Sequence, residues 1–435
     1  MQFHPQIAFE PLSHQNAFQS GALKKLLVYL QGNSPFYKRL FAKHHIDIHN
    51  IKSVADLRFL PTTTKSDMQE HNWDFLCVPD KFIKEYTATS GTMGKPVTIA
   101  LTEHDLQRLA HNEHQSFLCA DGRHGDIYQL MLTLDRQFMA GMAYYLGIRH
   151  LGAALIRTGP GLPALQWDTI SRLQANSIVA VPSFILKLID YAKEHSINLK
   201  ETPLQKAICI GESLRSADFE LNALGKKIHD DLPIKFYSTY ASTEMQTAFT
   251  ECSAGMGGHQ QPDLIIVEIL NEHGDTLKAG EYGEVTITTL GVEGMPLLRY
   301  RTGDICAWYD SVCSCGRHSR RLSPVLGRTQ QMIKYKGTTL YPPAIFDILN
   351  KIPFIKEYII EVFTNELLLD ELRLHLNTLL PVDECEKRLR PVLQSGLRVM
   401  PLLQFHSAST IQGMQFPPNC RKQVKFIDNR ETPGP

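Results

Sequence analysis

The sequence predicts an α/β protein in two parts: a large N-terminal domain with parallel sheets, helices and an antiparallel β subdomain, then a small α+β C-terminal domain. Three observations carry this. From Tyr86 onward short apolar strands alternate with helical segments. Two strand-like runs, Asp263–Leu270 and Glu281–Leu290, flank the turn-rich Asn271–Gly280 and read as an antiparallel hairpin. A chain of 435 residues also exceeds what one simple core organises, and suggests two or three domains of ~150 residues.

The elements follow in order. Asn16 to about His45 is helical, because Leu23, Leu26, Leu27 and Leu30 recur at three- and four-residue spacing; Asn33–Pro35 breaks the run. Leu57–Lys65 is a loop leading into a helix at Ser66. Ile178–Val181 is a strand closed by Pro182 and followed by a helix over Phe184–His195. Lys206–Ile210 is a strand ended by Gly211, with a helix expected from about Ser216 and a strand over Ile234–Tyr237. After Gln330 a mixed pattern restarts, with a strand at Gln331–Lys336 and a helix from Pro343. The boundary falls near Gly327–Gln331, giving domains of 1–328 and 329–435.

Composition narrows the function. Apolar residues make up 43% and charged residues 21%, a globular balance. Lys plus Arg and Asp plus Glu are both 45, so the net charge is zero and the footprint of a dedicated nucleic-acid binder is missing. No apolar run approaches the ~20 residues that span a bilayer, so no membrane partner is expected. The start, MQFHPQIAFEPLSHQ, shows no secretory signal, and nine scattered cysteines suit a reducing cytoplasm.

Thr87–Pro96 reads TATSGTMGKP, joining two strand-like flanks. Glycines let backbone N–H groups approach an anion, and the hydroxyls and lysine add donors. Phosphate binding and an ordinary hairpin tip both fit this loop alone. It is not a Walker loop, since the G-x-x-x-x-G-K-[ST] spacing is absent. Three further fragments follow: YASTE at Tyr240–Glu244, LRYRTGD at Leu298–Asp304, and GRTQQMIKYKG at Gly327–Gly337. In this order and spacing the four resemble the adenylate-forming acyl ligases. Within them, SPFYKRLF, LRFLPTTTK, EGMPLLRYRTGDI and CSCGR are most similar to phenylacetate–CoA ligase.

The resemblance implies an adenylation domain with a mobile C-terminal lid, and a set of roles. Thr89, Ser90, Gly91, Thr92, Gly94 and Lys95 would form a loop over the ATP phosphates, with Met93 replacing a usual threonine. Gly211, Glu212 and Ser213 would line adenine, and Tyr240 would offer its ring, with core packing as the alternative. Ala241 and Ser242 belong to the same nucleotide-binding segment; Thr243 would bond the α-phosphate and Glu244 would hold Mg2+. Asp304 can accept from both ribose hydroxyls, and Arg328 would reach ribose or phosphate. Arg299 and Arg301 are read as structural pairing partners. Lys422 would stabilise charge developing during adenylation, with Lys425 as a rival; Gln330, Gln331 and Arg421 depart from the usual pattern. The implied reaction joins a small carboxylic acid, aryl or arylalkyl, to coenzyme A through an acyl-adenylate. Transfer to a carrier protein or an amine is one alternative, and a non-catalytic nucleotide-binding protein another. A homodimer is compatible with all of these.

Cys252-x6-His259 and Cys313-x-Cys315 form a separate constellation of three thiols and one imidazole. Sulfur and nitrogen donors in a set of four suit tetrahedral Zn2+ in a structural role, with Gly255, Gly257 and Gly258 letting the chain wrap closely. Reduced cysteines near the surface are the plainer alternative. The remaining cysteines, Cys119 among them, are expected to pack.

Overall fold

The computed structural model describes residues 3–89, 96–336, 338–365, 369–417 and 423–430. They fall into two compact units: Met1–Leu221 with Gly225–Val325, and Asn222–Leu224 with Leu326–Pro435.

The first unit opens with α1 (Leu12–Asn33) and α2 (Pro35–Lys43), broken at Ser34, whose side chain caps α2 by accepting from the Tyr37 N–H. Leu23, Leu26, Leu27 and Leu30 are the buried stripe of α1. Thr64 then caps the short α3 (Lys65–Glu70) in a capping box with Asp67. β1 (Ile83–Ala88) and β2 (Thr98–Thr102) pair antiparallel, and α4 (Glu103–Cys119) follows directly.

The central sheet is built from β3 (Ile127–Leu130), β4 (Ala154–Arg157), β5 (Ser177–Ala180), β6 (Lys206–Ile210) and β7 (Lys235–Ser242), all parallel in the order β4-β3-β5-β6-β7. Helices α5 (Met139–Leu151), α6 (Pro163–Leu173), α7 (Pro182–Glu194) and α8 (Ala223–Asp231) connect them. Every residue of β5 and β6 is buried, as expected of parallel strands covered on both faces. Beyond β7 the sheet turns antiparallel through β8 (Thr247–Glu251) and β9 (Gly258–His259), and ends on two short strands, Arg321–Leu322 and Trp308–Tyr309.

A second sheet holds β10 (Ile265–Leu270), β11 (Gly283–Thr289) and β12 (Tyr300–Cys306) in antiparallel register, Ile265 opposite Thr289 and Leu270 opposite Glu284. This is the expected hairpin. The helix expected from Ser216 begins only at Ala223. Residues 216–220 instead close a turn: the Ser216 hydroxyl donates to Asp218 Oδ1 at 2.6 Å, and Phe219 takes a positive φ of 67° that no helix tolerates.

The second unit carries its own sheet, in which Ile355–Thr364 and Asp370–Thr378 pair antiparallel, flanked by Leu402–Phe405 and Phe426–Asn429 in parallel. Its core gathers Ile345, Leu349, Ile360, Leu374, Leu389 and Leu393. Among the described residues no helix is long and apolar enough to cross a membrane.

Candidate active site

The parallel strands β5, β6 and β7 deliver their C-terminal ends to one edge of the sheet, where open α/β folds bind ligands. β6 ends at Gly211, whose φ of 78° makes a sharp turn that a side chain would strain. Glu212 then reaches the start of α7: its carboxylate accepts from the Ser183 N–H at 2.8 Å and the Ser183 hydroxyl at 2.9 Å. A negative charge at a helix N-terminus is favourable there. The Ser213 hydroxyl donates to the Arg215 carbonyl at 2.8 Å and shapes the next turn.

β7 supplies Tyr240, Ala241 and Ser242, and Thr243–Gln246 turn the chain into β8. The Tyr240 hydroxyl donates to Asp304 Oδ2 at 2.8 Å, so the YASTE and LRYRTGD segments meet. Burial first, and then the adjacent Asp304 carboxylate, hold the Tyr240 phenol well above its ordinary range. Glu244 is buried; Lys65 Nζ at the start of α3 stands 3.5 Å from its Oε1, and the Tyr300 hydroxyl lies at the same distance. Ala241 is exposed, and Ser242 and Thr243 are half-buried.

The Asp304 loop is held from behind. Arg301 pairs with Glu284, and Glu284 Oε1 accepts from the Gly303 N–H at 2.9 Å. Arg299 makes a fork to Glu268, both contacts at 3.0 Å, and donates to the Leu60 carbonyl. Both arginines therefore pair structurally, as expected.

Thr89 closes the β1–β2 pair: its N–H donates to the Val97 carbonyl at 3.0 Å, and its hydroxyl accepts from the Val97 N–H at 3.0 Å. Ser90, Gly91, Thr92, Gly94 and Lys95, and likewise Lys422, lie outside the described residues. Arg328 belongs to the second unit and is exposed.

These motifs coincide with what the chain resembles. The AMP-binding enzyme family matches residues 86–294, a span that holds the glycine loop, Gly211–Ser213 and Tyr240–Glu244. The phenylacetate–coenzyme A ligase of Thermus thermophilus is 28% identical over 379 residues, 86% of this chain and 84% of that one. The Escherichia coli phenylacetate–coenzyme A ligase is 29% identical over 331 residues, 75% and 74% of the two chains. These matches support an AMP-forming acid–CoA ligase. The ligase also shares its fold with the crystal structure of 2-hydroxyisobutyryl-CoA ligase in the postadenylation state, in complex with R3-HIB-AMP. The TM-score is 0.85 at 21% identity, over 98% of this chain and 92% of that one.

The ligase gathers its second constellation too. The donor atoms of Cys252, His259, Cys313 and Cys315 lie within 4.8 Å of one another. Cys252 Sγ is 3.6 Å from Cys313 Sγ, far beyond a disulfide bond, and Cys315 Sγ is 3.5 Å from His259 Nε2. Glycines make the approach feasible: a Cβ on Gly258 would sit 2.5 Å from the Phe249 carbonyl oxygen. Burial opposes ionisation of the Cys315 thiol, but His259 and the Arg317 N–H draw it down to about 7. His259 Nδ1 faces the Ser319 hydroxyl at 3.3 Å, which orients the ring.

Sequence reasoning missed Lys65 and Tyr300. Lys65 stands in LRFLPTTTK, but nothing local marks Glu244 as its neighbour. Cys119 is buried and packs as expected, yet it packs on Cys252 and Cys313 themselves.

Proposed function

We propose that the ligase activates an aryl or arylalkyl carboxylic acid with ATP and transfers the acyl group to coenzyme A. In the first half-reaction a carboxylate oxygen attacks the α-phosphorus of ATP, forming the acyl-adenylate and expelling pyrophosphate. In the second the thiol attacks the activated carbonyl and AMP leaves. The observation that carries this reading is the hydrogen bond from Tyr240 to Asp304, which joins two distant motifs at the C-terminal edge of the parallel sheet. The aryl preference draws on the phenylacetate–coenzyme A ligases that the chain resembles at 28% and 29% identity.

In this reading the segment from Thr89 to Lys95 surrounds the phosphates, and Gly211, Glu212 and Ser213 border the adenine beside the Tyr240 ring. Asp304 accepts from the ribose, Thr243 bonds the α-phosphate and Arg328 reaches the ribose or phosphate. Residues 329–435 form the lid that brings Lys422 to the phosphoryl charge. Glu244 fits a Mg2+ ligand, as a buried carboxylate just beyond a strand end with loose 3.5 Å contacts to Lys65 and the Tyr300 hydroxyl. A bound Mg2+ would offset charge on the phosphoryl oxygens.

Cys252, His259, Cys313 and Cys315 fit a structural Zn2+. A tetrahedron with Zn–S legs of ~2.3 Å has edges of about 3.8 Å, slightly less where nitrogen replaces sulfur, close to the separations found here. Acid-dependent pyrophosphate release, measured over an acid panel with and without coenzyme A, tests the catalytic reading. Pyrophosphate with aryl acids and a thioester only when coenzyme A is added are expected. Release with no acid at all would overturn it.

A further inference from the structure

One buried cluster is used by none of these roles. Glu113 on α4 is only 4% exposed; its Oε1 accepts from Asn112 Nδ2 at 3.0 Å, and its Oε2 has no partner among the described residues. One turn on, the Ser116 hydroxyl is buried and has no partner within 3.5 Å among the described residues, nor has the hydroxyl of Tyr144 on α5, which faces the Thr239 side chain beyond that distance. The helices cross tightly here, since a Cβ on Gly147 would lie 2.3 Å from Glu113 Cβ. The Tyr144 side chain lies close to Glu113 and to Thr239 of β7.

Buried polar atoms without partners are costly, so a cluster of three calls for an occupant. Its position says which. Thr239 and Ala241 share one face of β7, with Thr239 four residues, about 13 Å along an extended chain, before Thr243. A second link runs through Asn112, whose Oδ1 accepts from the Ala248 N–H at 3.2 Å; Ala248 pairs directly with Ala241. The cluster therefore lies beside β7, upstream of the YASTE turn at its C-terminal end.

Resting on the ligase reading, we infer that Glu113, Ser116 and Tyr144 form the far end of the acid pocket, and that the acid carries a neutral hydrogen-bonding substituent there, a hydroxyl or an aryl amine. Burial pushes the Glu113 carboxyl up to about 8, so it keeps its proton at neutral pH. All three groups then both donate and accept, which matches an uncharged polar group better than a cation. Water is the competing occupant.

The test compares matched acids in the full-length enzyme by pyrophosphate release: phenylacetate against its 4-hydroxy and 4-amino forms, and benzoate against its hydroxy and amino forms. Wild type should favour the substituted acid at least about tenfold in kcat/KM, because a site built for a hydrogen bond rejects the analogue that lacks it. Tyr144→Phe, which removes one oxygen, and Glu113→Leu should each cut that preference about tenfold, through KM; Glu113→Gln should keep most of it. Equal use of both acids by wild type, or a preference that neither variant moves, would mean the cluster holds water only and would overturn the proposal. Failure to activate any acid would overturn the ligase reading, and this inference with it.

Discussion

Tyr240 and Asp304 show how one contact can carry two roles. The hydrogen bond fixes the ring and one carboxylate oxygen together, so Tyr240→Phe should loosen Asp304 without disturbing the core. We expect KM for ATP to rise about tenfold, the value of a hydrogen bond to a charged group, with a smaller change in kcat. Asp304→Ala should lower pyrophosphate exchange by about 100-fold or more at an unchanged melting temperature; full exchange activity in that variant would remove Asp304 from the site. Glu113 gives a prediction with a sign. Folding raises its pKa from 4.5 to about 8, so the native state holds a proton that the unfolded chain releases. Stability should therefore fall as pH rises from about 4.5 to 8 and then level off. Glu113→Gln lacks this titration, and its stability relative to wild type should grow by a few kcal/mol between pH 5 and 8.5, measured by urea unfolding. Tyr240, Glu244 and Asp304 could be proposed from the sequence because they stand in ordered motifs. Lys65 and Glu113 could not, since an isolated charged residue reads as solvated surface until the tertiary fold buries it.

At the scale of elements, α4, packed against α5 and β8, shows why a buried helix can escape periodicity. Its buried face is largely polar: Asp105, Arg108, His111, Asn112, Glu113 and Ser116. No apolar stripe marks it because Asp105, Arg108 and Asn112 turn inward to bond turns and a neighbouring strand. Asp105 accepts from the Glu293 and Gly294 N–H groups at 2.8 and 2.9 Å. Arg108 donates to the carbonyls of Leu290, Gln246 and Leu264 and to the Thr247 hydroxyl. Gln246 has a positive φ of 49° in the turn just after Glu244, so Arg108 holds a strained turn that sets the end of β7. Arg108→Met keeps the bulk but orphans three carbonyls. We expect a loss of about 3 kcal/mol or more, seen as a lower urea midpoint at unchanged slope. The strands were easier to read: Lys206–Ile210 and the 265–289 hairpin carry apolar runs and turn residues that tertiary context does not override. The helix start at Ala223 was missed because Ser216 and Asp218 close a local turn that competes with helix.

The chain folds as two compact units, and the cysteine–histidine cluster belongs to the first. Cys252 follows β8 and His259 lies in β9, at the antiparallel end of the central sheet, while Cys313 and Cys315 sit on a turn closed by the Cys313 N–H to Arg317 carbonyl bond at 3.0 Å. A metal there would tie that turn to the sheet edge within the first unit. The second unit is organised around a separate core that contains none of these residues. Binding energy at a closed four-ligand site is folding energy, so its loss should act on the unit that holds it. We expect about one zinc per chain in purified protein, and none in Cys313→Ser. That variant, or chelated wild type, should melt several degrees lower, since ~1 kcal/mol shifts a unit of this size by only a few degrees and a structural zinc contributes more. Hydrogen exchange should locate the change: amides of β8, β9 and Arg321–Leu322 should lose protection, while those of Ile355–Thr364 keep theirs. Acid preference should stay as in wild type, because among the described residues the cluster's hydrogen bonds reach none of those proposed for the nucleotide or the acid. Zinc-free protein with unchanged melting and exchange would remove the metal from the fold and leave the ligase chemistry standing.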